Sequence, residues 1–223
     1  MKNEFYKRIL SSILLIPLAL FFIIKGSFFL IFFLIACFFI SSYEWHLMTK
    51  KIKFSLIGYI FFIFSFYSAF QLRNNLPGEY YYILLVTIIC VATDVGGYLF
   101  GKIFKGPKLT KISPNKTYSG MFGGFFLTLI FTYIYINNFN FIQTNIENTI
   151  DIFIIVLLIS LISQLGDIII SYFKRLSKIK NTGKIIPGHG GLLDRIDGMI
   201  FAFPFSYLIF YLELIIWKKI LQF

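Results

Sequence analysis

Charge is scarce in this chain, and acid is scarcer than base. Only 14% of the 223 residues are charged against 58% hydrophobic, with 10 acidic side chains facing 21 basic ones. A soluble domain this apolar could not cover its surface with polar groups, which excludes an ordinary water-soluble fold. Cysteine is almost missing. Cys37 and Cys90 lie deep in apolar runs without metal-ligand spacing, which argues against a disulfide framework or a thiolate metal site. They read as small core or lipid-facing residues. Only two histidines occur, His46 and His189. No internal repeat is evident, so nothing points to an inverted-repeat transporter architecture.

What the chain has instead is long apolar runs, rich in its 30 phenylalanines. They fall at 9–24, 27–48, 54–72, 80–101, 119–137, 151–173 and 198–217, most of them near the roughly 20 residues that a spanning helix needs. The fold class expected is all-α, a polytopic transmembrane helical bundle of about seven spans. The first run follows Lys2, Lys7 and Arg8, as a signal peptide would. No small-residue cleavage site follows it, and Lys25-Gly26 leads straight into another span. Turn signals at Asn74-Asn75-Leu76-Pro77-Gly78 and the polar stretch Asn137 to Asn148 separate later runs.

The basic residues give an orientation. With the N-terminus cytoplasmic and the spans alternating, all but Lys25, Arg73, Lys218 and Lys219 of the 21 basic residues fall inside. Lys50, Lys51 and Lys53 need mean no more than retention and attraction to anionic headgroups. His46, beside Trp45 at the end of the second run, reads as interfacial. The basic excess thus belongs to membrane lipids and phosphate ligands, and no nucleic-acid partner is expected. The chain divides into 1–75, N-terminal helices that embed it, and 76–223, a catalytic transmembrane region with two cytoplasmic phosphate- or metal-binding loops.

An acid inside a membrane segment is costly, so each needs a partner or a purpose. Asp94 lies within the fourth run and Asp167 in the C-terminal half of the sixth. On the sixth, Ser160, Gln164, Asp167, Ser171, Lys174 and Arg175 share one face at spacings of three and four. That polar stripe opens into the segment Lys180 to Asp197, which holds Pro187-Gly188-His189-Gly190-Gly191 and Asp194-Arg195-Ile196-Asp197. Glycines let backbone N–H groups approach phosphate oxygens, and lysine and arginine neutralise phosphate charge. Carboxylates amid so much positive charge suit a hard divalent cation shared with substrate phosphates. A second such loop, Gly101 to Gly120, carries Ser113-Pro114-Asn115-Lys116-Thr117. Gly97 and Gly101, four apart, favour close helix packing.

The run Ser171-x-x-Lys174-Arg175, with Lys180-Asn181-x-Gly183 and Pro187-Gly188-His189-Gly190-Gly191-x-x-Asp194-Arg195-x-Asp197, resembles the signature of phosphatidate cytidylyltransferases (CDP-diacylglycerol synthases). Asp94/Gly97/Tyr98, the Ser113 to Thr117 loop and Gln164-x-Gly166-Asp167 also look like that family, so the likeness covers about the C-terminal 130 residues. Two positions depart from it. Asn181 stands where the family usually has Asp, and Tyr118-Ser119 stand where a Trp-Glu pair is common.

The resemblance implies transfer of CMP from CTP to phosphatidic acid, giving CDP-diacylglycerol and pyrophosphate. It implies Mg2+, with a second cation such as K+, and a homodimer in the bacterial inner membrane with the active site facing the cytoplasm. It implies Asp167, Asp194 and Lys174 as catalytic residues and Asp167 and Asp194 as metal ligands, with Asp197 read beside them as a second ligand or orienter. Substrate would meet Asp94, Ser113, Lys116, Ser171, Lys174, Arg175, His189 and Arg195. Two alternatives stand beside this reading: a cation-coupled transporter using Asp94 and Asp167, or a related enzyme acting on an isoprenoid lipid.

Overall fold

The computed structural model describes the backbone of residues 2–50, 55–76, 78–138 and 149–220. Lys51, Lys53, Pro77 and all but the first two residues of the polar stretch Asn137 to Asn148 lie outside the described residues. The elements are α1 (Lys2–Lys25), α2 (Ser27–Thr49), α3 (Ser55–Asn74), α4 (Tyr81–Phe104), α5 (Tyr118–Asn138), α6 (Thr149–Leu176), α7 (Leu193–Ile196) and α8 (Met199–Ile220). Among the described residues the only strand-like pairings are two isolated bridges, Lys108 with Thr117 and Ile186 with Gly190. The chain is therefore an all-α bundle. Each of the seven apolar runs has become a helix, α1 to α6 and α8. Among the described residues, α2 to α6 contain five stretches long and apolar enough to cross a membrane, and α1 and α8 add the shorter apolar stretches Ile13–Lys25 and Met199–Leu212. Pro17 and Pro204 lie inside α1 and α8, as prolines in spanning helices can.

The last run, read as 198–217, is α8. It is preceded by a separate four-residue helix, α7, and Asp197-Gly198 forms the break before α8. Gly198 is needed there because a Cβ would overlap the Ser163 hydroxyl on α6.

Two apolar clusters hold the bundle. The larger joins Leu30, Leu72, Ile83, Val86, Ile89, Val156, Ile159 and Ala202, drawing α2, α3, α4, α6 and α8 together. The smaller gathers Trp45, Met48, Phe62, Ile170, Leu193 and Ile200. Trp45 stacks edge-on against Phe62 and Phe173 and gives its Nε1–H to the Ser55 carbonyl at 2.9 Å. It is a core residue, while His46 beside it is exposed and pairs with the Tyr59 hydroxyl at 3.0 Å. Cys37 and Cys90 are buried free thiols.

The closest seam is between α4 and α5, and its cause is glycine. A Cβ on Gly96 would overlap the Gly123 carbonyl, and one on Gly120 would sit 2.7 Å from the Gly97 carbonyl. Small residues allow this approach in a bilayer, where no hydrophobic force drives helices together. A buried hydroxyl cluster ties α6 to the same pair: Thr93 Oγ1 lies 2.9 Å from Thr128 Oγ1 and 2.7 Å from Ser160 Oγ. Interhelical bonds of this kind contribute about 0.6 to 2 kcal/mol each.

Side-chain contacts also sort the ends of the bundle. At one end, Ser11 of α1 meets His189, Ser177 beyond α6 gives its hydroxyl to the Met48 carbonyl of α2, and Arg175 reaches the Ile112 carbonyl. At the other, Arg73 of α3 donates Nε–H to the Ile23 carbonyl at 3.1 Å, closing the C-terminus of α1. The two basic loops therefore share one end.

Candidate active site

The first loop is shaped by its own backbone. Leu109 N–H donates to the Lys116 carbonyl at 2.8 Å, Lys116 N–H to the Ser113 carbonyl at 3.0 Å, and Tyr118 N–H to the Pro107 carbonyl at 3.2 Å. Lys105 and Gly106 take positive φ (54° and 109°) to turn the chain out of α4, and the Ser119 hydroxyl bonds the Lys105 carbonyl. The outcome is that Lys116 points across to α6. Its Nζ lies 2.5 Å from Asp167 Oδ2 and 3.4 Å from the Gln164 carbonyl. One turn along α6, Ser171 donates its hydroxyl to Asp167 Oδ1 at 3.2 Å. Ser113, expected to reach substrate, forms the turn before Lys116, where its N–H bonds Thr110 Oγ1 at 3.1 Å.

The second loop is a tight turn followed by α7. Ile186 N–H bonds the Gly190 carbonyl, while His189 and Gly190 both donate N–H to the Ile186 carbonyl. Gly188 and Gly190 hold φ of 77° and 94°, where a side chain would be strained. His189 is half-buried with Nδ1 2.7 Å from the Ser11 hydroxyl, and its carbonyl accepts from Arg195 Nη2 at 3.0 Å. Beyond the turn, Asp194 is fully engaged. Oδ1 takes Lys174 Nζ at 2.9 Å, and Oδ2 takes the N–H groups of Thr182 at 2.8 Å and Gly191 at 3.1 Å. Lys174 is also 3.9 Å from Asp197 Oδ2.

The loops bring the predicted acids into one neighbourhood. Asp167 and Asp197 lie within electrostatic reach of each other and of Lys174. Asp94, on α4, lies within electrostatic reach of Asp167, Lys116 and Arg195. Burial pushes the Asp197 carboxyl well above the usual carboxylate range, and the charge of Asp167 adds to this while Lys174 opposes it. Arg175 is exposed and makes only long contacts, 3.5 Å to the Ile112 and Ile179 carbonyls.

Among the described residues no three His, Cys, Asp or Glu side chains converge on one point. The donor chemistry nevertheless fits Mg2+, which binds through one or two carboxylates and takes its remaining oxygens from phosphates and water. Asp167 and Asp197 supply such a pair, and the mutual repulsion of neighbouring carboxylates is relieved by a cation or a proton. Asp194 reaches the pair only across Lys174.

The structure also adds Glu44, which the sequence reading passed over. It is fully buried at the loop end of α2, and it accepts from Thr182 Oγ1 and from the N–H groups of Leu192 and Leu193. The rule that flagged Asp94 and Asp167, an acid within an apolar run, applied equally to Glu44. Ser11 and Thr182 carried no such signal.

Residues 48–213 match the model of the cytidylyltransferase family. The chain belongs to that family. Its relatives include a phosphatidate cytidylyltransferase of Rickettsia bellii, 38% identical over 219 residues that cover 93% of this chain and 91% of the relative. A Rickettsia felis protein of the same name is 37% identical over 214 residues, 93% of each chain. One from Staphylococcus aureus is 40% identical over 151 residues, covering 66% of this chain and 52% of its own. This kinship favours a membrane-bound cytidylyltransferase over the transporter reading.

Proposed function

We propose that this protein transfers the cytidylyl group of CTP to phosphatidic acid, leaving CDP-diacylglycerol in the membrane and releasing pyrophosphate. The observation that carries the reading is the pairing Lys116–Asp167 and Lys174–Asp194, beside a glycine-rich turn, at the end of a membrane bundle. A phosphatidate oxygen attacks the α-phosphorus of CTP, and the bond from that phosphorus to the oxygen bridging to the β-phosphorus breaks. The nucleophile is already anionic and needs no strong base, so catalysis rests on positioning and charge. Lys116 and Lys174, each now on a carboxylate, are the cations that incoming phosphates would engage, with Arg175 and Arg195 at the exposed rim. The 180–195 loop, with its positive-φ glycines, is the side suited to the triphosphate. Asp94, Ser171 and His189 orient groups around it.

Mg2+ would be held by Asp167 with Asp197, while Asp194, both of its oxygens engaged, sets Lys174 beside them, and when bound the ion screens charge on the transferring and leaving phosphates. The same reading places residues 76–223 in catalysis, sets the chain in a bacterial inner membrane with the loops toward the cytoplasm, and pairs two copies. The clustering of basic residues at the loop end supports the orientation.

The test is turnover of labelled CTP by the detergent-solubilised protein with phosphatidic acid. Label should enter a CDP-lipid with release of pyrophosphate, and chelating Mg2+ should abolish it. Transfer to an isoprenoid phosphate but not to phosphatidate would change the acceptor. No transfer to any lipid would overturn the reading.

A further inference from the structure

Glu44 belongs to α2, in the part of the chain whose sequence promises only membrane embedding. It is 0% exposed, and among the described residues no salt bridge reaches it. Among the described residues its hydrogen-bond partners are Thr182, Leu192 and Leu193, in the second loop and at the start of α7. Oε1 accepts Leu192 N–H at 2.9 Å, and Oε2 accepts Leu193 N–H and the Thr182 hydroxyl, each at 2.8 Å. Gly183 and Gly191 are glycines for the same reason: a Cβ at Gly183 would lie 2.6 Å from the Glu44 carboxylate, and one at Gly191 would overlap it.

The strip that Glu44 holds is the strip that holds Asp194. Thr182 gives its hydroxyl to Glu44 and its N–H to Asp194, while Gly191, beside Leu192, gives its N–H to Asp194 as well. Asp194 in turn fixes Lys174. A buried carboxylate reaching 138 to 149 residues along the chain is thus linked to the catalytic lysine through Thr182, which bonds both carboxylates, and through Gly191, which adjoins Leu192.

We infer that Glu44 is a positioning residue for the cytidylyl transfer, setting from α2 the 181–193 loop so that Asp194 and Lys174 stand ready for the triphosphate. The inference rests on the proposed function. Its chemistry is specific, because all three partners of Glu44 donate. Glutamine at that site keeps the shape but brings an NH2 against a backbone N–H, which leaves at least one amide of Leu192 or Leu193 without an acceptor.

The experiment is steady-state kinetics of Glu44→Gln, varying CTP and phosphatidate separately. The CTP KM should rise about tenfold while the phosphatidate KM stays within about twofold. A strut with no part in positioning would lower the active fraction and leave both KM values unmoved, and that outcome overturns the inference. Thr182→Val removes one of the three bonds and keeps the N–H to Asp194. It should raise the CTP KM by a smaller factor, with Thr182→Ser falling between it and the wild type. Should Glu44→Gln fail to fold, Thr182→Val decides the question on the same readout. Wild-type protein that makes no CDP-lipid would instead defeat the functional reading, so the two failures are distinct.

Discussion

In the first loop Lys116 meets Asp167 with the two side chains 25% and 24% exposed, whereas at the second Lys174 meets Asp194 with only 10% and 6% exposed. The more open pair can trade its partner for an arriving phosphate or cation at lower cost, because charges that water still reaches are screened. The sealed pair is braced by two backbone N–H groups, and removing one member of such a pair strands a buried charge at about 3 to 5 kcal/mol. Lys116 is suited to exchanging its carboxylate for a phosphate, and Lys174 to meeting one while it stays held on Asp194.

The largest effect should follow from Asp167→Asn. CDP-diacylglycerol formation is expected to fall at least about a hundredfold, since a carboxylate facing Mg2+ and phosphate is lost. The melting temperature in detergent should barely move, as the pair is open. Near-normal turnover would remove Asp167 from the site, and a large loss of stability would erase its difference from Asp194.

Asp194→Asn comes next and should differ in kind. Activity should drop at least about tenfold, and thermal stability should fall by up to about 3 to 5 kcal/mol because Lys174 is left buried without its partner. Pairing it with a neutral residue at Lys174, as in Asp194→Asn with Lys174→Met, should recover part of the stability and none of the activity. A double variant no more stable than the single would show that the amide contacts, and not the buried charge, carry the cost.

Much of this was open to reading from the residues. The seven apolar runs became helices because lipid demands long, internally hydrogen-bonded segments, and that demand overrides local propensity. Asp167, Ser171 and Lys174 were legible as one face because helical spacing fixes it. The partners of these residues were not. Lys116 meets Asp167 and Thr182 meets Glu44 through tertiary packing, with sequence separations that no periodicity encodes. The separate helix α7 was not legible either, and the break at Asp197-Gly198 has its cause in the crowding of Gly198 against Ser163. His46 was legible as interfacial and is exposed, but nothing in the sequence showed that the ring of Trp45 beside it fills the cluster that anchors Leu193.

The loops also hang on different supports. The first joins α4 to α5 across the glycine seam, and the second stands on the Trp45, Phe62 and Leu193 cluster. Gly96→Ala drives a methyl into the Gly123 carbonyl and should cost about 1 to 3 kcal/mol, as overpacking does. Gly97→Ala, whose Cβ would lie 3.7 Å from the Gly120 carbonyl, should be tolerated within about 0.5 kcal/mol. Melting curves of the two variants side by side check this. Equal destabilisation would mean that the seam is not set by Gly96.

Arg175 should give the smallest effect and the finest comparison, because it is the exposed link between the loops, 3.5 Å from the Ile112 carbonyl. Arg175→Gln should leave stability within about 0.5 kcal/mol and raise the CTP KM about two- to fivefold. An exposed cation acting on a phosphate is screened by salt, with a Debye length of about 10 Å at 0.1 M. The difference between Arg175→Gln and the wild type should therefore shrink as ionic strength rises from about 0.05 to 0.5 M. The defect of Asp194→Asn should persist over the same titration, since salt does not reach a sealed pair. If both defects faded together, the second pair would be as accessible to solvent ions as the first, and the division of labour between the loops would not hold.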